Sequence, residues 1–212
     1  MSSTEAETAG VMQELAPEDV ARADVYALIA NLFYAPPGQQ LLDAIVATDL
    51  ISPGGELFTA WKALQDAAAQ ADVETVKVEH ETLFVGIGRP PVMLYGSYYL
   101  AGFLMEKPLA RLRGTLEVLG VARQESVSEP EDHIAALCDV MRMLIMGGGA
   151  FDSSDPSGVQ VQKKFYNEHI KPWYARMTAE IERQEGANFY RRAGSFTKIF
   201  LDIESASLDI GT

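Results

Sequence analysis

Apolar residues recur at helical spacing along most of the chain. The first stripe consists of Val25, Leu28, Ile29, Leu32 and Phe33. Such spacing is the pattern of a helix with one buried face. Pro-Glu-Asp at 17–19 is typical of a helix start, and Pro-Pro-Gly at 36–38 is typical of a helix end. The pattern therefore predicts a helix from about residue 17 to the prolines.

The same spacing predicts further helices over the rest of the chain. They are expected at about 39–48, 55–71, 73–85, 97–119, 128–146, 157–184 and 187–209. Pro108 and Pro172 fall inside two of these stretches, and each should begin a new helix or kink an existing one. The β-branched residues of 73–78 would suit a strand, but their apolar positions fit helical spacing better. The sequence shows neither a hairpin nor an alternation of strands with helices, so the predicted fold class is all-α.

Length and composition suit one large domain or two small ones. The chain has 212 residues, of which 48% are hydrophobic, enough to bury a sizeable core. Residues 1–15 form an acidic N-terminus that we expect to be flexible, and 16–212 form the helical domain. Within that domain, 120–128 is expected to act as a hinge between an N-terminal part, which ends at about 119, and a C-terminal part, 129–212.

The charge distribution narrows the class of partner. The formal net charge is −13, which argues against nucleic acid and favours a cationic partner. Residues 1–161 contain 9 basic and 23 acidic residues, whereas 162–212 contain 8 and 7. The negative field therefore belongs to the first three quarters of the chain.

Several sequence features bear on the compartment. The lone Cys138 excludes an internal disulfide, and its helical phase with Ile134 and Met141 indicates a buried position. Residues 1–21 contain five acidic residues and no Lys or Arg, unlike a secretory signal, so a cytoplasmic location is expected. The uncharged stretch Pro90–Met105 has 16 residues interrupted by proline and glycine, and we expect no membrane span. This stretch is instead a candidate groove.

The stretch SEPEDHIAALCDVMRML, which begins at Ser128, places a proline, three carboxylates and a histidine at an expected helix start. Ser128 and Glu131 fit a capping box, and Pro130 and the acids suit a first helical turn. On a helical wheel Asp132 points away from the apolar face and His133 flanks it. The two are then badly placed for a catalytic dyad. These residues alone leave both a helix cap and a functional site open.

Three motifs of the chain resemble a known family in order and spacing. The first is Glu129-Pro130-Glu131-Asp132-His133-Ile134, which is similar to the E-P-x-D-H-[IL] signature of the TorD/DmsD-type chaperones. The others are Leu83-Phe84-Val85-Gly86 followed by Gly96-Ser97, and Phe165-x-x-x-His169-x-x-Pro172-Trp173. ANFYRRAGSFTKIFLDIE at 187–204 resembles the closing helix of the family. One departure is that Pro90-Pro91 stands several residues before Gly96-Ser97, where Met93-Leu94-Tyr95 takes the usual place of a proline pair.

The resemblance, which spans about residues 20–205, implies a non-enzymatic chaperone that folds as a single, all-helical, bundle-like domain of the TorD/DmsD type. It would bind the twin-arginine signal peptide and the apo-form of a molybdenum-containing oxidoreductase in the cytoplasm, and delay export until the cofactor is inserted. Such a peptide needs carboxylates beside an apolar, partly aromatic groove. The residues expected to bind it are Leu83, Phe84, Gly86, Tyr95, Ser97, Tyr98, Tyr99, Glu129, Asp132 and His133. Asp132 would pair with an arginine, and His133 would form a neutral wall.

The remaining motif residues are interpreted as architecture. Pro130 would start a helix, Pro172 would redirect the chain, Trp173 would pack, and His169 would bond a carbonyl freed at a helix end. The resemblance further implies molybdenum-cofactor biosynthesis proteins as partners and weak guanine-nucleotide binding. It also implies a mainly monomeric protein with a slowly exchanging domain-swapped dimer.

Two other classes of function remain open at this point. A metal-dependent hydrolase would need ligands from His80, His133 and His169, which lie 53 and 36 residues apart without an H-E-x-x-H motif. A purely structural helical oligomer would need a self-complementary apolar surface. The client enzyme, whether of the nitrate, trimethylamine oxide, dimethyl sulfoxide or formate type, is also open.

Overall fold

The computed structural model of the chain describes residues 15–49, 51–86, 88–121, 129–148 and 156–210. The helices in these ranges are α1 (Pro17–Tyr34), α2 (Gln39–Ala47), α3 (Gly55–Ala69), α4 (Val73–His80), α5 (Gly96–Ala101), α6 (Lys107–Val118), α7 (Ile134–Ile145), α8 (Pro156–His169), α9 (Tyr174–Arg183) and α10 (Phe189–Ile210). A π-helical turn, Glu81–Val85, continues α4. Within the same ranges, extended pairing is limited to one isolated antiparallel bridge between Tyr95 and His133. The all-α class predicted from the sequence is confirmed.

The first helices follow the local signals of the sequence. Helix α1 begins at Pro17 with Glu18 and Asp19 in its first turn and ends before the prolines, as predicted. Residues 73–78 are helical, and the Asp72 carboxylate accepts the Thr75 N–H at 2.9 Å to cap α4. Local capping chemistry therefore explains these boundaries.

Two of the predicted helices are each divided in two. The stretch 97–119 becomes α5 and α6, because Gly102 adopts a left-handed conformation with φ of 85° and Pro108 lies in the first turn of α6. The stretch 157–184 becomes α8 and α9, separated by the turn 170–173 that contains Pro172. Both breaks therefore fall beside the two prolines, where they were expected.

The predicted start of α7 is wrong. Helix α7 begins at Ile134, and Ser128, the proposed capping-box residue, lies outside the described residues. The Gly96 N–H donates to the Asp132 carbonyl at 2.9 Å, and the Ile134 N–H donates to the Leu94 carbonyl at 2.8 Å. These bonds hold the backbone extended just before α7. The acidic residues therefore precede the helix, and the helical-wheel positions assigned to Asp132 and His133 do not apply.

The core joins the two parts of the chain. Helix α1 packs against α7, α3 and α9 pack against α10, and α2 packs against α3. The largest fully buried side chains include Tyr26, Phe33, Trp61, Tyr166, Trp173 and Phe196. Cys138 lies in this core with Ile134 and Met141, as predicted. Burial of each large apolar side chain stabilises the fold by about 1.5–3 kcal/mol.

A partly buried ion pair connects α1 with α10: the Glu204 side chain is 3% exposed and the Arg22 side chain 25%. The Arg22 guanidinium donates to both carboxylate oxygens of Glu204, at 2.8 and 2.9 Å, and the Tyr26 hydroxyl donates to the same carboxylate at 3.1 Å. Removal of Arg22 would leave the buried carboxylate without its cation, which is destabilising. The pair therefore fixes the relative position of two helices 182 residues apart.

A second buried carboxylate caps α10. The Glu79 oxygens accept the backbone N–H groups of Asn188, Phe189 and Tyr190 at 2.9, 3.2 and 2.7 Å. The first N–H groups of a helix have no partner inside the helix, so one side chain from α4 satisfies the start of α10.

No helix in the described ranges combines the length and the apolar character required to cross a membrane.

Candidate functional site

Two of the sequence motifs meet where α5 packs against the turn between α8 and α9. A Cβ atom placed on Gly96 would lie 3.0 Å from Nε1 and 3.2 Å from Cε2 of Trp173. Only glycine therefore allows α5 to approach the indole without displacement. The indole Nε1–H donates to the His169 carbonyl at 2.6 Å, which ties the end of α8 to the same contact.

Asp132 joins the third motif to this cluster. Its Oδ2 accepts the Ser97 N–H at 2.7 Å, so the carboxylate caps the start of α5. The residue is only 4% exposed. Its Oδ1 is buried and accepts no hydrogen bond from any residue that the structure describes. A buried carboxylate oxygen without a donor is unfavourable, and a donor supplied by a ligand would relieve that cost.

Asp132 also belongs to the wall of a cavity of about 350 Å³. The other residues of the wall are Gly96, Ser97, Leu100, Pro108, Arg111, Leu112, Leu137, Glu168 and His169. The wall thus combines two carboxylates with one guanidinium and four apolar side chains. Such a mixture suits a ligand group that has an apolar stem and a cationic end.

His133 lies between Asp132, which lines the cavity, and Ile134, the first residue of α7. Its Nδ1 accepts the Ala135 N–H at 3.1 Å and caps α7. Burial lowers the pKa of His133 to about 4, so the ring is neutral at pH 7. Burial is the main cause of this neutral state, and the role of His133 as a wall of the peptide site stays a prediction. The side chains of Asp132 and His133 bond different partners and do not form a dyad.

Tyr95 and Glu129 lie beside His133 and are half-buried. The Tyr95 ring meets the His133 ring edge to face at 5.1 Å. The Tyr95 hydroxyl donates to the Glu129 carboxylate. Burial, followed by this hydrogen bond, raises the pKa of Tyr95. The two side chains support the loop before α7 without lining the cavity.

The expected hydrogen bond of the His169 ring is corrected by the structure. The ring does not bond a freed carbonyl: its Nε2 lies 3.0 Å from the Thr115 hydroxyl, and the carbonyl of His169 accepts from Trp173. Burial lowers the pKa of His169, so its ring is also neutral at pH 7. His169 consequently connects α8 to α6 across the cavity.

Leu83 and Phe84 do not line a groove, contrary to expectation. Both are buried, and Phe84 contacts the rings of Phe33 and Tyr190 at centroid distances of 5.8 and 4.9 Å. The π-helical turn packs Phe84 between α1 and α10, and Leu83 is buried in the core. Their apolar character therefore serves the core.

The remaining predicted groove residues are also separate from the cavity wall. Tyr99 is buried, stacks on Trp173 at 5.5 Å and donates its hydroxyl to Glu180. Tyr98 lies under the Arg89 guanidinium, which is 5.0 Å from its ring centroid. Gly86 has a φ of 57° and ends the π-helical turn. Of the ten residues expected to bind the peptide, Ser97 and Asp132 line the cavity.

Sequence reasoning missed several residues of the cavity wall. Arg111 and Glu168 are charged residues on exposed helix faces, and Leu100, Leu112 and Leu137 are apolar residues at ordinary helical spacing. The one signal in the sequence that could have identified Glu168 is its position directly before the motif residue His169. Within the described ranges, no three His, Cys, Asp or Glu side chains are arranged to hold a metal ion.

Comparisons with known proteins identify the family. The model of the nitrate reductase delta subunit family matches residues 55–179, more than half of the chain. The chaperone protein TorD of Vibrio cholerae is 26% identical, over 94% of this chain and 97% of that protein. The TorD chaperone of Aliivibrio fischeri is 23% identical, over 85% and 80%.

A solved structure supports the fold. The crystal structure of a candidate redox enzyme maturation protein from Archaeoglobus fulgidus superposes with a TM-score of 0.56 over 92% of this chain and 98% of that one. At 17% identity this likeness concerns the fold alone. The resemblance found in the sequence is confirmed: the chain belongs to the nitrate reductase delta subunit family, and TorD chaperones are among its relatives.

Proposed function

We propose that this protein is a redox-enzyme maturation chaperone and not an enzyme. It acts in the cytoplasm, where it binds the twin-arginine signal peptide and the apo-form of a molybdenum-containing oxidoreductase and delays export until the cofactor is inserted. The observation that carries the proposal is the Asp132 carboxylate. One of its oxygens is fixed by Ser97, and the other has no hydrogen-bond donor among the described residues, in the wall of a cavity.

An arginine side chain supplies what this arrangement lacks. A guanidinium offers several N–H donors in a fixed plane, and its hydrogen bonds to a carboxylate are stronger than neutral ones. Leu100, Leu112 and Leu137 in the wall can contact the methylene stem. The second carboxylate, Glu168, contributes further negative potential. The loss of such a desolvated contact costs roughly 2–5 kcal/mol in binding free energy.

The charge of the whole chain favours the same partner. A net charge of −13 attracts a basic peptide over distances comparable to the Debye length, about 8–10 Å at physiological salt. Association with a twin-arginine peptide should therefore slow as salt is added, while the apolar contribution persists. Stopped-flow association rates that stay constant from low to high salt would contradict this steering.

Asp132→Asn provides the central test. Asparagine retains an oxygen that can accept the Ser97 N–H but removes the charge, so melting should change little. The affinity for a twin-arginine peptide should fall at least tenfold, about 1.4 kcal/mol. Calorimetric titration and a melting curve measure the two effects separately. Asp139→Asn is the matched control, because Asp139 is exposed on α7 and lies outside the cavity wall.

Asp132→Ala separates the cap from the binding site. It removes both the charge and the acceptor for α5, so it should add about 0.5–2 kcal/mol of destabilisation to the loss of affinity. If Asp132→Asn melted early and still bound the peptide with unaltered affinity, Asp132 would be only a helix cap, and the client would bind elsewhere.

The proposal includes slow exchange between a predominant monomer and a domain-swapped dimer. Residues 122–128 of the expected hinge lie outside the described residues. Because α1 packs against α7, an exchange of the two halves must first open this contact. Isolated size-exclusion fractions should therefore re-equilibrate over minutes or longer. Re-equilibration within seconds would indicate simple surface association.

A further inference from the structure

Large apolar side chains are exposed where α5 passes into α6. They are Leu100, Phe103, Leu104 and Met105, with exposed fractions of 41%, 72%, 41% and 71%. We call these four side chains the α5–α6 patch. Single exposed apolar residues are common on protein surfaces, but a contiguous group marks an interaction surface.

The backbone of the patch is held in place. Met105 has a φ of 59°, a left-handed conformation that is unfavourable for a residue with a Cβ atom. Its N–H donates to the Ser97 hydroxyl at 3.2 Å, which connects the segment to the start of α5. The exposed side chains are therefore presented by an anchored turn that does not fold inwards to bury them.

The patch continues into the cavity. Leu100 belongs both to the patch and to the cavity wall. It lies one helical turn after Ser97, whose N–H is bonded to Asp132. A carboxylate that lacks a donor and an apolar surface thus adjoin along α5.

We propose that the α5–α6 patch is the docking surface for the apolar segment that follows the arginines of the signal peptide. This inference rests on the proposed function and adds the direction of the peptide, which runs from Asp132 along α5 towards Met105. Charge complementarity supports that direction. The cavity wall carries two carboxylates, Asp132 and Glu168, and one guanidinium, Arg111, whereas Pro90–Met105 contains no charged residue. Arg89 and Glu106 flank that stretch.

The size of the patch favours a peptide over a second copy of this chain. A stable protein–protein interface buries about 800 Å² on each partner, through roughly 20–30 residues a side. Four side chains provide far less than this. They are sufficient for a short apolar segment whose basic end is held separately in the cavity.

Phe103→Ser and Phe103→Ser/Met105→Ser test the inference with two peptides. The first peptide carries both arginines and an apolar segment, and in the second the apolar residues are replaced by serine. The single variant should lower the affinity for the first peptide about fivefold and the double variant at least tenfold. Neither should change the affinity for the serine peptide. Val78→Ser is the matched control, because Val78 is 60% exposed on α4.

The results that would contradict this inference differ from those that would contradict the proposed function. If both variants bound the two peptides like the wild type while Asp132→Asn still weakened binding, the apolar segment would dock elsewhere, and the inference alone would fall. If wild-type protein bound neither peptide, the proposed function itself would fall. If Phe103→Ser dissociated a wild-type dimer in sedimentation and left peptide affinity unchanged, the occupant of the patch would be a second copy.

Discussion

The chain contains two buried pairs of an acid followed by a histidine. In both pairs the acid accepts backbone N–H groups at the start of a helix, but the two carboxylates differ in function. Glu79-His80 closes α4, and Asp132-His133 precedes α7. Each acid caps a helix that lies elsewhere in the sequence, α10 for Glu79 and α5 for Asp132. Glu79 is 8% exposed and Asp132 is 4% exposed, so burial does not distinguish them.

The difference lies in the hydrogen bonds that each carboxylate still lacks. Glu79 accepts three backbone N–H groups through both of its oxygens. Asp132 accepts one through Oδ2, and its Oδ1 has no donor within the described part of the chain. A carboxylate whose oxygens are all occupied by its own fold serves architecture. One with an unused oxygen beside a cavity retains capacity for a ligand.

Glu79→Ala should have the largest effect on stability. It leaves three N–H groups at the start of α10 without an acceptor, so we expect the free energy of unfolding to fall by about 3 kcal/mol. Denaturant unfolding measures this loss. Peptide affinity, measured well below the melting temperature, should match that of the wild type. A loss of affinity without a loss of stability would remove the distinction between the two carboxylates.

Gly96→Ala tests the close approach of α5 to Trp173, which positions the Ser97 N–H that Asp132 accepts. The added Cβ would lie 3.0 Å from the Trp173 indole, and such overpacking costs about 2 kcal/mol in stability. It should also weaken peptide binding, because the Asp132 bonds to α5 shift with the helix. Gly114→Ala is the control: no described atom lies within 4 Å of its Cβ position, so it should stabilise α6 by about 0.5–1 kcal/mol. Equal effects of the two substitutions would contradict the tight contact.

His133→Asn should make stability less dependent on pH. The unfolded pKa of about 6.5 is lowered to about 4 by burial. The unfolded state therefore binds more protons between these values, and stability falls as the pH decreases. This residue contributes at most about 1.4 kcal/mol per pH unit. Asparagine can still cap α7 but does not titrate, so unfolding at pH 7 and pH 5 should show a smaller difference than in the wild type. An unchanged difference would mean that His133 is solvated in the folded state.

Arg111→Gln should have the smallest effect on peptide affinity, but the direction of that change is informative. Arg111 is the cation of the cavity wall, so its removal should strengthen the binding of an arginine peptide about threefold, or about 0.7 kcal/mol. Arg142→Gln makes the same charge change on the exposed face of α7 and should alter affinity less. Weaker binding by Arg111→Gln would indicate that the cavity accepts an anionic group.

The sequence allowed most helices to be predicted because their signals are local. Proline, glycine and apolar spacing locate α1 and the two breaks near Pro108 and Pro172. The start of α7 was predicted wrongly because its extended approach depends on backbone bonds between Asp132 and Gly96, and capping rules contain no information on such distant contacts.

The candidate site was only partly accessible from the sequence. Family resemblance selected Asp132 and His133, whose roles in binding stay predictions. The sequence identified Leu83 and Phe84 as apolar residues but could not show that both are buried in the core, with Phe84 packed against α1 and α10. The sequence predicts a groove along the uncharged stretch Pro90–Met105. Only the fold shows that the exposed large apolar side chains of this stretch lie at its C-terminal end, from Leu100 to Met105.

The bond between Arg22 and Glu204 sets an order on folding during synthesis. As the nascent chain leaves the ribosome, α1 emerges first, with the Asp19 carboxylate 2.7 Å from the Arg22 guanidinium, while Glu204 is made 182 residues later. Until then Arg22 has only this carboxylate of its own helix as a partner among the two that the folded state provides. Docking of α1 beside α10 is therefore a late event. On a ribosome stalled before Glu204, the ion pair between α1 and α10 could not yet form.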